Sequence, residues 1–162
     1  MMADLDYLKA SIALARDNVS KGGQPFGAML VKDGEVLAEG VNQTYVEHDP
    51  TAHAEIQALR NAARAHRQSL FPGSTMYASG KPCAMCMAAM IQAGVSRLIY
   101  CAGDEVGERY GWSTEYLYQR MQQPFGEQGI TTEQLPLEEK TAVFDLWQEL
   151  HGQGSNRHIR QD

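Results

Sequence analysis

Four residues restrict this chain more than any others: His53 and Glu55, then, thirty residues after the histidine, Cys83 and Cys86, in the pattern H-x-E followed by P-C-x-x-C. One imidazole and two thiolates give a zinc ion three protein ligands and leave the fourth tetrahedral position open, whereas structural zinc sites usually close with four. Any fold the chain adopts must therefore bring two distant segments to one point. Pro82 suits a first helical turn, because a proline there needs no N–H and its φ is already helical. Cys83 and Cys86 then lie three apart on one helix face. Both sulfurs would sit near a helix N-terminus, whose dipole favours thiolates. His53 and Glu55, two apart, would point to different sides of a regular helix. They are therefore placed at an entry turn after Asp49-Pro50-Thr51, from which His53 reaches the metal and Glu55 reaches a metal-activated water.

A C-x-x-C pair alone is as often structural zinc or a redox motif. Glu55 decides between them, since structural zinc has no use for a neighbouring carboxylate that is not a ligand. Zinc lowers the pKa of bound water toward neutrality. A carboxylate beside that water can take its proton, deliver it to a ring nitrogen and later pass a proton to a departing amine. The H-x-E and P-C-x-x-C pattern resembles that of the zinc deaminases, which implies that the attacked atom is a ring carbon bearing an exocyclic amine, as in cytosine C4, adenine C6 or guanine C2, and that ammonia leaves.

Periodicity places these motifs in an alternating α/β chain. Leu5, Leu8, Ile12, Ala15 and Val19 recur at helical spacing, so residues 4–20 read as an amphipathic helix ended by Lys21-Gly22-Gly23. Gly27–Lys32 and Glu35–Glu39 read as strands around Asp33-Gly34, the strongest short hairpin signal. A loop to Pro50, a helix over 52–66, the Phe71-Pro72-Gly73 break, a strand over 75–78, the cysteine helix to about Ala93 with Gly94 as cap, and a strand over 97–101 follow. After residue 103 the expectations are a loop, a short helix over 114–121, a strand over 130–135 and a helix over 138–150. Such alternation argues for helices on both faces of a mixed sheet, a three-layer α/β/α sandwich with the two metal-bearing helix starts at one end.

The chain has 162 residues and 43% hydrophobic content, which suits one domain over 1–162 with a sizeable core. No run approaches the ~18 apolar residues of a membrane span, and acidic residues early in 1–20 are unlike a secretory signal. A cytoplasmic protein without a membrane partner is expected, since a reducing compartment suits zinc thiolates better than a disulfide. Cys101, in an apolar stretch, reads as a small buried hydrophobe. Met85, Met87 and Met90 read as gap-filling core residues around the metal helix.

The run Asp49-Pro50-Thr51-Ala52-His53-Ala54-Glu55 with Pro82-Cys83-Ala84-Met85-Cys86 resembles the cytidine deaminase-like superfamily, in the branch of bacterial guanine deaminases and tRNA adenosine deaminases. Gly23 to Ala28, Val31 to Gly34, Gly111-Trp112 to Leu117-Tyr118 and Phe144 to Trp147 resemble the guanine deaminases in particular. The resemblance implies one zinc per subunit on His53, Cys83 and Cys86, with Glu55 as proton shuttle in hydrolysis of guanine to xanthine and ammonia. It implies Asn42 as a substrate-ring partner, an amide offering both donor and acceptor, and Phe26 as an aromatic wall of the base pocket. Ala54 is implied as a substrate contact, and Trp112 as a pocket residue together with Tyr116 and Tyr118. It also implies a homodimer in which a tail over 151–162, otherwise flexible, exchanges between subunits. The apolar positions Val143, Phe144, Trp147 and Leu150 need cover, which the helix's own domain could equally supply.

One stretch departs from the pattern. Guanine deaminases resembling this chain carry an acidic pair after the glycine-aromatic step, one member of which reads the guanine edge, and here Ser113-Thr114-Glu115 stands in its place. Glu115, or Asp104, Glu105 or Glu108 in the preceding segment, is the carboxylate that would substitute. Three other readings remain. The first is deamination of cytosine, isocytosine or a related aminoheterocycle. The second is a tRNA adenosine deaminase, which a net charge of −6 without a dense basic run argues against as it does against any nucleic-acid partner. The third is an inactive zinc-stabilised interaction module.

Overall fold

The computed structural model describes residues 3–152. They divide into two compact units, one running through Gln122 and one beginning at Gln123. The expected tail beyond Gly152 lies outside the described residues.

The first unit is a four-stranded mixed sheet between helices. Helix α1 (Asp4–Ser20) leads into strands β1 (Gly27–Lys32) and β2 (Glu35–Val41), followed by a single turn α2 (Thr44–Glu47) and helix α3 (Ala54–His66). Strand β3 (Thr75–Gly80), helix α4 (Ala84–Gln92) and strand β4 (Arg97–Ala102) form a parallel crossover unit, and α5 (Asp104–Arg109) and α6 (Glu115–Met121) complete it. The strand order is β2-β1-β3-β4, with β1 antiparallel to both β2 and β3.

The hairpin forms where the sequence expects it. Lys32 pairs with Glu35, and the two residues between them have φ of 51° at Asp33 and 80° at Gly34. Two positive φ values in a two-residue loop define the type I′ turn, whose twist matches the flanking strands. Further along, Leu30 faces Ala38 while Val31 faces Val36, so Leu37 is the extra residue of a bulge.

Strand alternation divides the core into two layers. Ala28 and Leu30 of β1 and Met76 of β3 point to one face, where they pack with Ala54, Ala58, Leu59, Ala62, Cys86 and Met90 of α3 and α4. Met29, Val31 and Tyr77 point to the other face, against Tyr7 of α1. This is the α/β/α sandwich with a mixed sheet expected from the sequence. Gly40 lets α3 lie close on β2: a Cβ there would stand 2.2 Å from the Ala54 carbonyl oxygen and 2.4 Å from the Ala58 nitrogen. The helix that carries the site therefore sits at a distance only glycine allows.

A polar clamp joins α1 to the sheet. Asp4 accepts hydrogen bonds from the Tyr77 hydroxyl (2.6 Å) and from both terminal nitrogens of Arg97 (3.1 and 2.7 Å). The Arg97 and Tyr77 hydrogen bonds hold Asp4 below its ordinary range, while burial and then the bond to Asp4 push Tyr77 up to about 12. A phenol held above its unfolded value of about 10 binds its proton more tightly in the folded state. Its stabilisation is thus complete below about pH 10 and is lost as pH rises toward 12. Urea midpoints for wild type and Tyr77→Phe are expected to converge over that window; a gap that stays constant contradicts the assignment.

Four expectations are corrected. Residues 130–135 do not form a strand, and the segment after Gly103 is helix α5 rather than loop. Cys101 is exposed, because β4 is the sheet's edge strand among the described residues. Pro82 precedes the capping residue instead of occupying the first turn of α4. In the second unit, a short 3-10 helix (Glu138–Thr141) runs into helix α7 (Ala142–His151). No helix among the described residues is long and apolar enough to cross a membrane.

Candidate active site

Two helix starts supply the metal ligands. His53 caps α3 with extended backbone (φ −71°, ψ 157°), and Cys83 caps α4 in nearly the same conformation (φ −72°, ψ 170°). Their carbonyls accept the first helical bonds, from Gln57 and Met87. Each side chain is thus released from the helix to face the other, and Cys86 follows within the first turn of α4. A local network fixes the His53 turn. Asp49 Oδ1 accepts from the Thr51 N–H (2.8 Å) and hydroxyl (2.7 Å), and Arg60, about two turns along α3, donates to Asp49 Oδ2 (3.0 Å) and Thr51 Oγ1 (2.8 Å).

His53 Nδ1 stands 3.6 Å from Cys83 Sγ and 3.6 Å from Cys86 Sγ, and the sulfurs are 3.7 Å apart. Zinc bonds of ~2.3 Å to sulfur and ~2.0–2.1 Å to nitrogen at tetrahedral angles place S···S at roughly 3.8 Å and S···N at roughly 3.6 Å. The triangle fits a zinc ion, and these three residues are positioned to hold one. Without metal, Cys83 is pulled far down by the hydrogen bond from Cys86 and then by His53, while donation to Cys83 and burial push Cys86 up. The two sulfurs thus favour holding a proton between them. Zinc binding would release it.

Glu55, the second residue of α3, is buried, and burial raises its carboxyl above the ordinary range. It lines a cavity of about 300 Å³ with His53, Ala54, Cys83, Phe26 and Asn42. That volume is at the small end of the ~300–1,000 Å³ typical of ligand pockets, and suits one flat ring system. Phe26 meets Trp112 edge to face, with centroids 5.4 Å apart, so two aromatic walls come from opposite ends of the unit's sequence. Asn42 is buried, and its Oδ1 already accepts from the Thr44 N–H (3.1 Å) and hydroxyl (2.9 Å). The amide is thereby oriented, and what it has left to offer a ligand is the donor side, Nδ2.

Of the expected site residues, Phe26, Asn42, His53, Ala54, Glu55, Cys83 and Trp112 line this cavity, Cys86 lies buried behind it in the ligand triangle, and Glu115 lies apart. That residue heads α6, accepts from Gln119 Nε2 (3.1 Å) and does not line the cavity. Nor do Glu105 and Glu108, while Asp104 is held by Lys81 at 2.5 Å. Tyr116 lines the cavity, whereas Tyr118 lies behind it, its hydroxyl donating to the Pro82 carbonyl (2.7 Å) and so tying α6 to the cysteine turn. Sequence reasoning missed Gln24, Lys81, Thr114 and Leu117 as lining residues. Lys81 adjoins the P-C-x-x-C motif and Thr114 lies in the departing stretch, which were the available signals.

Residues 1–102 match the family described as cytidine and deoxycytidylate deaminase zinc-binding region. The chain is 34% identical over 142 residues to a guanine deaminase of Bacillus subtilis, covering 87% of this chain and 91% of that protein. It is 30% identical over 138 residues to a tRNA-specific adenosine deaminase of Aquifex aeolicus, covering 85% and 89%. The X-ray structure of guanine deaminase from Bacillus subtilis superposes with a TM-score of 0.88 at 31% identity, covering 98% of this chain and all of that one.

Proposed function

Because the chain belongs to the cytidine and deoxycytidylate deaminase zinc-binding family, we propose that this zinc-dependent hydrolytic deaminase acts on free guanine, converting guanine and water to xanthine and ammonia. The observation that carries this reading is the His53–Cys83–Cys86 triangle opening, beside buried Glu55, onto a cavity of about 300 Å³ walled by Phe26 and Trp112. Zinc, when bound there by His53, Cys83 and Cys86, supplies Lewis acidity that lowers the pKa of a water. Glu55 takes that water's proton, passes it to the ring nitrogen beside the attacked carbon, and then delivers the second proton to the departing amine. Its burial, which raises its proton affinity, suits a group that must both accept and return a proton near neutral pH. Asn42 Nδ2 donates to an acceptor on the ring, Phe26 and Trp112 hold the ring plane, and Ala54 closes the floor. Glu115, outside the cavity lining, takes no part in holding the base.

A second reading, adenosine deamination in tRNA, draws on the Aquifex relative. The net charge of −6 weighs against it, because phosphate contacts by Lys and Arg supply most nucleic-acid affinity. Ammonia release from guanine, cytosine, isocytosine, adenine, their nucleosides and tRNA separates these readings. Guanine alone should be turned over; release from tRNA or another base with guanine inert contradicts the proposal.

We also propose that residues 1–162 act as one deaminase domain in a cytoplasmic homodimer. Support comes from the exposed apolar residues Val143, Phe144, Leu146 and Leu150 of α7 and from a thiolate zinc site that suits a reducing compartment. A light-scattering mass of one chain would contradict the dimer.

A further inference from the structure

Asn18, in the last turn of α1, is a buried polar side chain. Its Nδ2 gives hydrogens to two backbone carbonyls far apart in the chain, those of Gln24 (2.8 Å) and Asn42 (2.9 Å). Both partners accept only, so the NH₂ end of the amide, and not its oxygen, must face them. The two segments are also bonded to each other. The Gln24 carbonyl accepts from the Phe26 N–H (2.8 Å), and the Phe26 carbonyl accepts from the Asn42 N–H (3.1 Å). Four hydrogen bonds thus close a ring through Asn18, Gln24, Phe26 and Asn42, and every member except Asn18 lines the cavity. The chain folds tightly over this amide: the Gly23 N–H donates to the Asn18 carbonyl (2.8 Å), and a Cβ at Gly23 would stand 2.4 Å from Asn18 Nδ2.

We infer that Asn18 is a positioning residue for the base: without lining the cavity, its amide fixes the spacing between the segment that carries Phe26 and the one that carries Asn42. This deepens the nucleobase reading above and rests on it. The pairing of β1 with β2 ends at Gly27 and Val41, so the residues that reach the cavity, Phe26 and Asn42, stand one step beyond the ladder. What holds them there is the bond between them and the Asn18 bridge. His53, Glu55, Cys83 and Cys86 stand on other elements, at the starts of α3 and α4, and take no part in the ring. Loosening the ring therefore weakens the hold on the base in the ground state and the transition state alike, which raises KM and leaves kcat nearly unchanged.

Two variants reach the amide by different routes. Asn18→Asp keeps the side chain's shape but cannot give two hydrogens to the two carbonyls. Gly23→Ala leaves Asn18 in place and pushes its amide aside. On the inference, each raises KM for the bases the wild type deaminates by roughly 3–10-fold, with kcat within about threefold and zinc still at one ion per chain. The same factor should appear in the Kd of each base for zinc-loaded Glu55→Gln protein carrying either substitution, where binding is not followed by turnover. Both variants should melt below wild type, Asn18→Asp the lower, so rates and binding are measured well below either midpoint; if Asn18→Asp does not fold, Gly23→Ala decides alone. A merely structural role predicts the lower Tm with KM and Kd within twofold of wild type, and that result overturns the inference. So does a loss that falls on kcat or on zinc content while KM holds. Bases that bind with an Asn18-dependent Kd but are not deaminated by wild type sink the functional reading alone, and no binding by any base sinks both.

Discussion

Glu55→Gln is expected to lower turnover by roughly 10²–10⁴-fold, the usual contribution of a positioned acid–base group, while zinc content stays at one ion per chain. The amide keeps the size of the carboxyl and cannot carry the proton from water to ring nitrogen to amine. Stability should not fall. Glu55 is buried, and burial already disfavours its charged form. A neutral side chain of the same shape avoids that penalty, so Tm should match or exceed wild type. Rates by ammonia release and melting by calorimetry on one preparation check both halves. A variant that unfolds, or one that turns over at near wild-type rate, removes Glu55 from the role proposed.

Cys86→Ser should have a comparable effect on rate by a different route. Cys86 is fully buried and forms two edges of the ligand triangle, 3.7 Å to Cys83 and 3.6 Å to His53. Serine leaves two ligands, and the Lewis acidity it forfeits is worth several kcal/mol, roughly 10²–10³-fold or more in rate. Here the metal leaves as well. Because a metal that binds only the folded state adds to stability by mass action, wild type should melt lower after chelation and recover with zinc. The variant should melt at the chelated position whether zinc is present or not. Metal content by mass spectrometry beside the melts decides it, and a Cys86→Ser protein with stoichiometric zinc and full turnover would refute the triangle as the metal site.

The sequence was most legible where the cause is local. Asp33-Gly34 dictates its own turn through two positive φ values, and the metal motif dictates its own geometry because His53 and Cys83 each stand at a helix cap. What failed depended on neighbours. The β-branched residues at 130–132 favour a strand, but strand propensity counts only when another strand pairs with it, and none does among the described residues. Cys101 reads as buried from its apolar surroundings and is exposed because β4 has no neighbour on one side. The back of the cavity was least legible of all. Thr114 and Leu117 line the cavity with His53 from the α6 end, which Tyr118 ties to the Pro82 carbonyl, a contact spanning 36 residues that no local pattern records.

The most direct measurement is product analysis with guanine on wild-type and Glu55→Gln protein, each verified to hold one zinc per chain. Xanthine and ammonia in equal amounts from wild type, with neither above background from the variant, is the predicted result. Guanine left unchanged by zinc-loaded wild type, or converted as fast by Glu55→Gln, would contradict it.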